Sequence, residues 1–138
     1  MEKNKYVIFD TNIWVAFYKD NDSLKNKAIA EIEKFTHSKK QCLITNLIAE
    51  EVFSVLTYAG YKKLANQFID FCLKNKRVKW LNLDDNFIKN INKFTQIKSL
   101  LKTKLSFTDY SIIFLSNNFG FEILSFDKEL VKIYKKIN

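Results

Sequence analysis

Four short apolar runs alternate along the chain with longer stretches patterned as amphipathic helices. The runs fall at 6–9, 42–44, 78–83 and 123–126, each of strand length. Short, mainly apolar strands separated by helices suggest a parallel sheet with helices on both faces, although Lys79, Asn82 and Ser125 interrupt the third and fourth runs. Between them the 3.6-residue period predicts helices over 11–18, 23–35, 46–59, 62–74, 84–101 and 107–118, and a last one from Lys128. Ser23 and either Asp84 or Asp85 stand where helix N-caps belong, and Gly60 and Gly120 where helices end. With no proline and only two glycines, the chain offers no linker or repeat, and its 138 residues are read as one α/β domain over 1–138. In such sheets, ligands bind beyond the carboxyl ends of the strands.

The side chains present narrow the chemistry. His37 is the only histidine, which leaves almost nothing for histidine-dependent zinc sites or Ser-His-Asp catalysis. Cys42 and Cys72 are far apart and form no CxxC, so reduced thiols in or near the core are expected. No glycine-rich phosphate loop exists. No apolar run approaches the ~20 residues that span a bilayer, and the opening MEKNKYVIFD lacks the apolar stretch of a secretory leader, so a cytoplasmic protein with no membrane partner is expected. The net charge of +8 is carried almost wholly by lysine, Arg77 being the only arginine. A basic surface favours a polyanionic partner, most commonly nucleic acid. A chain rich in Lys, Asn, Ile and Phe also acquires such a charge from composition alone.

Against this basic background the placement of the acids is informative. Asp10 follows the first strand, and Asp127 is expected to end the last one in the same way, so both face one edge of the sheet. In TNLIAEEVFSVL (45–56), helical spacing puts Glu51 on the flank of the apolar face formed by Ile48, Val52 and Val55, and turns Glu50 to water. Asp109, in LSFTDYSIIFL (105–115), opens a strongly apolar helix that Ser106 or Thr108 caps. Each acid alone is explained by capping or solvation. Four together repel one another unless a cation intervenes, and hard oxygen ligands suit Mg²⁺ or Mn²⁺ rather than zinc.

These segments resemble the PIN-domain family. VIFDTNIW (7–14) is similar to its opening strand and Asp-Thr-Asn turn, TNLIAEEVFSVL to its second motif with a helical Glu at position 51, LSFTDYSIIFL to its Ser-x-x-Asp helix start, and ILSFDKEL (123–130) to its closing strand and Asp. The four stand in family order over essentially the whole chain. The resemblance implies a three-layer sandwich with a parallel sheet of four to five strands. It also implies a Mg²⁺- or Mn²⁺-dependent endoribonuclease, of the kind that serves as a VapC-like toxin in a type II toxin–antitoxin pair, with RNA as substrate, a cognate antitoxin as partner and a homodimer as the assembly. The scarcity of arginine departs from what phosphate recognition would favour and leaves lysines to hold backbone phosphates as point charges.

On this reading Asp10, Glu51, Asp109 and Asp127 bind one or two metal ions, directly or through water, and Glu51 or Asp109 takes the proton of the attacking water. Thr11, Asn12 and Ser106 orient ligands or contact phosphate, or else only cap helices. Glu129 extends the cluster or simply sits at a helix start. Trp14, Phe17 and Tyr18 stack on bases or, more in keeping with their pattern, pack in the core or a dimer. A haloacid-dehalogenase phosphatase would carry Asp-x-Asp where this chain has Asp10-Thr11-Asn12, and a receiver would need an acidic pair before the first helix. The competing non-catalytic reading is a PIN-like module that binds RNA or protein without turnover.

Overall fold

The computed structural model describes residues 5–137, so the first four residues of MEKNKYVIFD, the segment considered for a leader, lie outside it. In chain order the elements are β1 (Tyr6–Phe9), α1 (Thr11–Tyr18), α2 (Lys25–Thr36), β2 (Gln41–Thr45), α3 (Asn46–Tyr58), α4 (Lys62–Lys74), β3 (Val78–Leu81), α5 (Asp85–Thr95), α6 (Phe107–Phe119), β4 (Glu122–Leu124) and α7 (Lys128–Ile137). The strands form one sheet in the order β3-β2-β1-β4, and every pairing is parallel. The chain builds outward from β1 to β3, then returns to lay β4 on the free side of β1, with Ile8 opposite both Leu43 and Ile123. The direction of winding therefore reverses between β1 and β4, and the crevice beyond their carboxyl ends is the natural ligand position.

β1 is buried at every residue and β2 at every residue but Gln41. Side chains alternate across a strand, so unbroken burial means both faces are covered. The core joins these strands to Ile13 and Trp14 of α1, Ile48, Val52 and Leu56 of α3, Phe68 of α4 and Ile112, Ile113 and Leu115 of α6. Trp14 is 3% exposed and packs its ring on Phe9 and Phe68, with centroids 5.3 and 5.2 Å apart. Base stacking by Trp14 is thereby ruled out, and Phe17 and Tyr18 are half-buried against each other at 5.4 Å. Cys42 and Cys72 are buried free thiols, as expected. His37 is exposed at the end of α2.

Several boundaries shift for identifiable reasons. Ser23 caps nothing; the Asp22 carboxylate accepts from the Leu24 N–H at 2.9 Å, and α2 starts at Lys25. α5 stops at Thr95 rather than near Leu101, because the side chains of Thr95 and Gln96 both donate to the Asn92 carbonyl and draw it from the helix ladder. Asp84, not Asp85, caps α5. β3 ends at Leu81, and Leu83 is held instead by Asn46, whose side chain accepts from its N–H at 2.7 Å and donates to its carbonyl at 3.4 Å. Gly120, at φ 71°, closes α6 in the left-handed conformation. Arg77 folds inward: its guanidinium lies 4.4 Å from the Phe35 ring centroid and donates to the carbonyls of Phe35, Thr36, Ser38 and Lys40. The only arginine is thus committed to the end of α2.

Candidate active site

Asp10 leaves β1 at the winding reversal, and its N–H donates to the Leu124 carbonyl of β4 at 2.9 Å. Its side chain is the N-cap of α1: Oδ1 accepts from the Thr11 N–H at 2.7 Å. Its other oxygen, Oδ2, accepts from the Ser125 hydroxyl at 2.6 Å and from the Asn12 amide at 3.3 Å. The strand does not run on to Asp127 as expected. β4 ends at Leu124, because Ser125 turns its hydroxyl to Asp10 and the Phe126 N–H goes to Asn12 Oδ1 at 3.2 Å instead of a strand neighbour. Asp127 then stands two residues past Ser125. Its N–H donates to Ser125 Oγ at 3.0 Å, and its Oδ1 accepts from the N–H groups of Glu129 and Leu130 at the start of α7.

Thr45 ends β2 and caps α3, its hydroxyl accepting from the Ile48 N–H at 3.1 Å. The helix it starts carries Glu51, half-buried, and Glu50, exposed, as the face argument requires. Ser106 and Asp109 form a reciprocal capping box on α6, each side chain accepting from the other's N–H. Asp10, Asp109 and Asp127 therefore each lend an oxygen to a helix N-terminus, where the macrodipole favours negative charge.

All four expected acids line one open cleft of about 390 Å³, together with Thr11, Asn12 and Ser106. Glu129 is not on its wall; it is exposed and lines a separate pocket with Lys132 and Lys136. Burial pushes the Asp10 carboxyl up to about 6; the Ser125 hydrogen bond opposes this, and the charges of Asp109 and Glu51 add to it. Asp109 is raised for the same first reason, with Glu51 and Asp127 as the neighbouring charges. No lysine or arginine lies within ion-pair distance of any of the four among the described residues. Asp10 is thus an almost fully buried acid among other acids, held by three donors and by no cation. The Thr11 hydroxyl, also buried, has no hydrogen-bond partner.

The donor set suits a hard divalent cation: carboxylate oxygens only, an excess of negative charge and an orphaned hydroxyl. As the side chains stand, no group of three or more Asp, Glu, His or Cys among the described residues has the spacing to grip an ion directly. Mg²⁺ retains several of its waters in most protein sites, so a cleft this wide suits ligation in part through water. The residue that sequence reasoning missed is Ser125, which joins the first and last acids. Its one trace in the sequence is a hydroxyl interrupting the apolar run just before Asp127.

The fold and site together define an α/β protein with an acidic cleft at the switch point of a parallel sheet. A family-wide match to the PIN domain covers residues 7–136, and the chain belongs to that family, whose members are nucleases. Among solved structures it is similar to VapC20 of Mycobacterium tuberculosis, described as a Sarcin-Ricin loop cleaving toxin, with a TM-score of 0.76. That match has 13% identity and covers 91% of this chain and 93% of the other, a likeness of fold. No curated protein matches the sequence.

Proposed function

We propose that this chain is a metal-dependent endoribonuclease that hydrolyses RNA phosphodiester bonds, and that it serves as the toxin of a toxin–antitoxin pair. The observation that carries the reading is the meeting of Asp10, Glu51, Asp109 and Asp127, from four separate parts of the chain, in one cleft without a cationic side chain. Family membership supports nuclease chemistry, and the M. tuberculosis toxin, which shares the fold, supports the RNA substrate and the toxin role. A cognate antitoxin, a homodimer and a cytoplasmic setting belong to the same reading.

Asp10, Glu51, Asp109 and Asp127 would hold Mg²⁺ or Mn²⁺, in part through water. When bound, the ion supplies Lewis acidity and positive charge to the scissile phosphate. Asp10 is kept in one orientation by Thr11, Asn12 and Ser125. Asp109 or Glu51 takes one proton of the attacking water as the water oxygen bonds to phosphorus, and the bond to one ester oxygen breaks, that oxygen taking a proton from solvent.

The test is cleavage of a mixed RNA pool with Mg²⁺ or Mn²⁺, against EDTA and against Asp10→Asn, Glu51→Gln, Asp109→Asn and Asp127→Asn. Cleavage should vanish in each case while the circular dichroism spectrum is retained. Wild-type cutting by Asp10→Asn, or cutting that survives EDTA, sinks the mechanism. Metal-induced thermal stabilisation without cleavage would instead favour a binding module.

A further inference from the structure

Next to the acidic cleft, and sharing Asp127 with it, lies a second groove of about 590 Å³. Its floor is apolar, made by Leu124, Phe126 and Val131. Its walls carry Lys27 from α2 and Lys128, Lys132 and Lys135 from α7. The three lysines of α7 are spaced four and then three residues apart and so form one stripe along the helix. None of the four is in an ion pair among the described residues, and the remaining acid on the groove, Glu31, is already paired with Lys34 at 3.6 Å. Lys27 lies 5.7 Å from the centroid of the half-buried Phe126 ring.

Charge of this kind, over an apolar floor and continuous with the candidate catalytic cleft, fits a polynucleotide strand whose phosphates meet amines and whose base meets an aromatic face. The position of the floor is tied to the acids: the Asn12 side chain holds the Phe126 N–H, Asp10 and Ser125 at once. We propose that this groove is the track for single-stranded RNA flanking the cleavage site, with Lys27, Lys128, Lys132 and Lys135 on consecutive phosphates and Phe126 under a base. The proposal rests on the ribonuclease reading for the identity of the strand. A duplex would hold its bases away from Phe126.

The test measures binding of a fluorescein-labelled single-stranded RNA of about 12 nucleotides to protein carrying Asp10→Asn, so that the RNA stays intact, across a salt series. Replacing Lys128, Lys132 and Lys135 by Gln should weaken binding at least about ten-fold and make the log–log salt dependence shallower by about 2. Phe126→Leu should weaken it by about five-fold or more with the slope unchanged, since stacking releases no counterions. Replacing Lys62, Lys63 and Lys74 of α4, the helix whose Cys72 carbonyl accepts from Trp80 on the opposite edge strand β3, should change neither. Wild-type affinity and slope in the α7 variant would overturn the proposal, as would equal affinity for a duplex of the same length. Both criteria apply whether or not the chain proves to cut RNA, because cleavage is scored separately.

Discussion

Ser125 donates a 2.6 Å hydrogen bond to Asp10 across 115 residues of sequence. The same oxygen accepts from the Asp127 N–H, so one hydroxyl fixes both the first and the last acid of the cleft. Ser125→Ala should therefore destabilise the metal-free protein by about 1.5–3 kcal/mol at pH 8, the range for a bond to an ionised group. The loss should shrink at pH 5, where Asp10 is mostly protonated and the bond is between neutral groups. Urea unfolding at the two pH values checks this; an equal loss at both would show that Ser125 does not serve the ionised carboxylate.

Asp10 also sets a pH dependence of stability. Its folded pKa is raised from 3.8 to about 6, so between those values the folded protein keeps a proton that the unfolded chain has lost. Stability of the chelated protein should thus fall as pH rises through this window and level off above it, by roughly 3 kcal/mol for this group. Asp10→Asn should flatten that slope and raise the melting temperature at pH 7 to 8. A variant that melts lower than wild type at pH 8 would contradict the assignment of a buried, uncompensated charge.

Arg77→Lys should cost about 2–4 kcal/mol, because an ammonium cannot reach four carbonyls in the plane that the guanidinium spans. The midpoint of urea denaturation should drop with an unchanged slope. A midpoint equal to wild type would mean that the end of α2 holds without its fork.

Burial pushes the Cys42 thiol far above its ordinary range and the Cys72 thiol up to about 12. Neither is a thiolate at pH 8, so both should react with a disulfide reagent only as fast as the protein opens. Two thiols should titrate at once in denaturant. Rapid labelling of the folded protein would place at least one of them at the surface.

Much of this was legible from residue order. Short apolar runs between helical patterns located the strands, and the flank position of Glu51 separated it from Glu50 because a helix face is fixed by spacing. Asp109 was legible because its own capping box leaves a local trace. Ser125 was not, since its partner lies at the other end of the chain and no local rule connects them. The same long-range bonds ended β4 early and moved Asp127 off the strand. Ser23 failed as a cap because the Asp22 carboxylate turns the chain through the Leu24 N–H, so α2 starts at Lys25 with no side-chain cap.

The inward turn of Arg77 divides the cations of the molecule into two chemical kinds. The guanidinium holds architecture, whereas the remaining positive side chains are all primary amines, of which Lys25 alone among the described residues donates to a backbone carbonyl, that of Phe17. An acylating reagent distinguishes the two. It would strip the outside of its positive potential amine by amine and leave the Arg77 clamp intact, so surface charge can be titrated away as a variable separate from the fold.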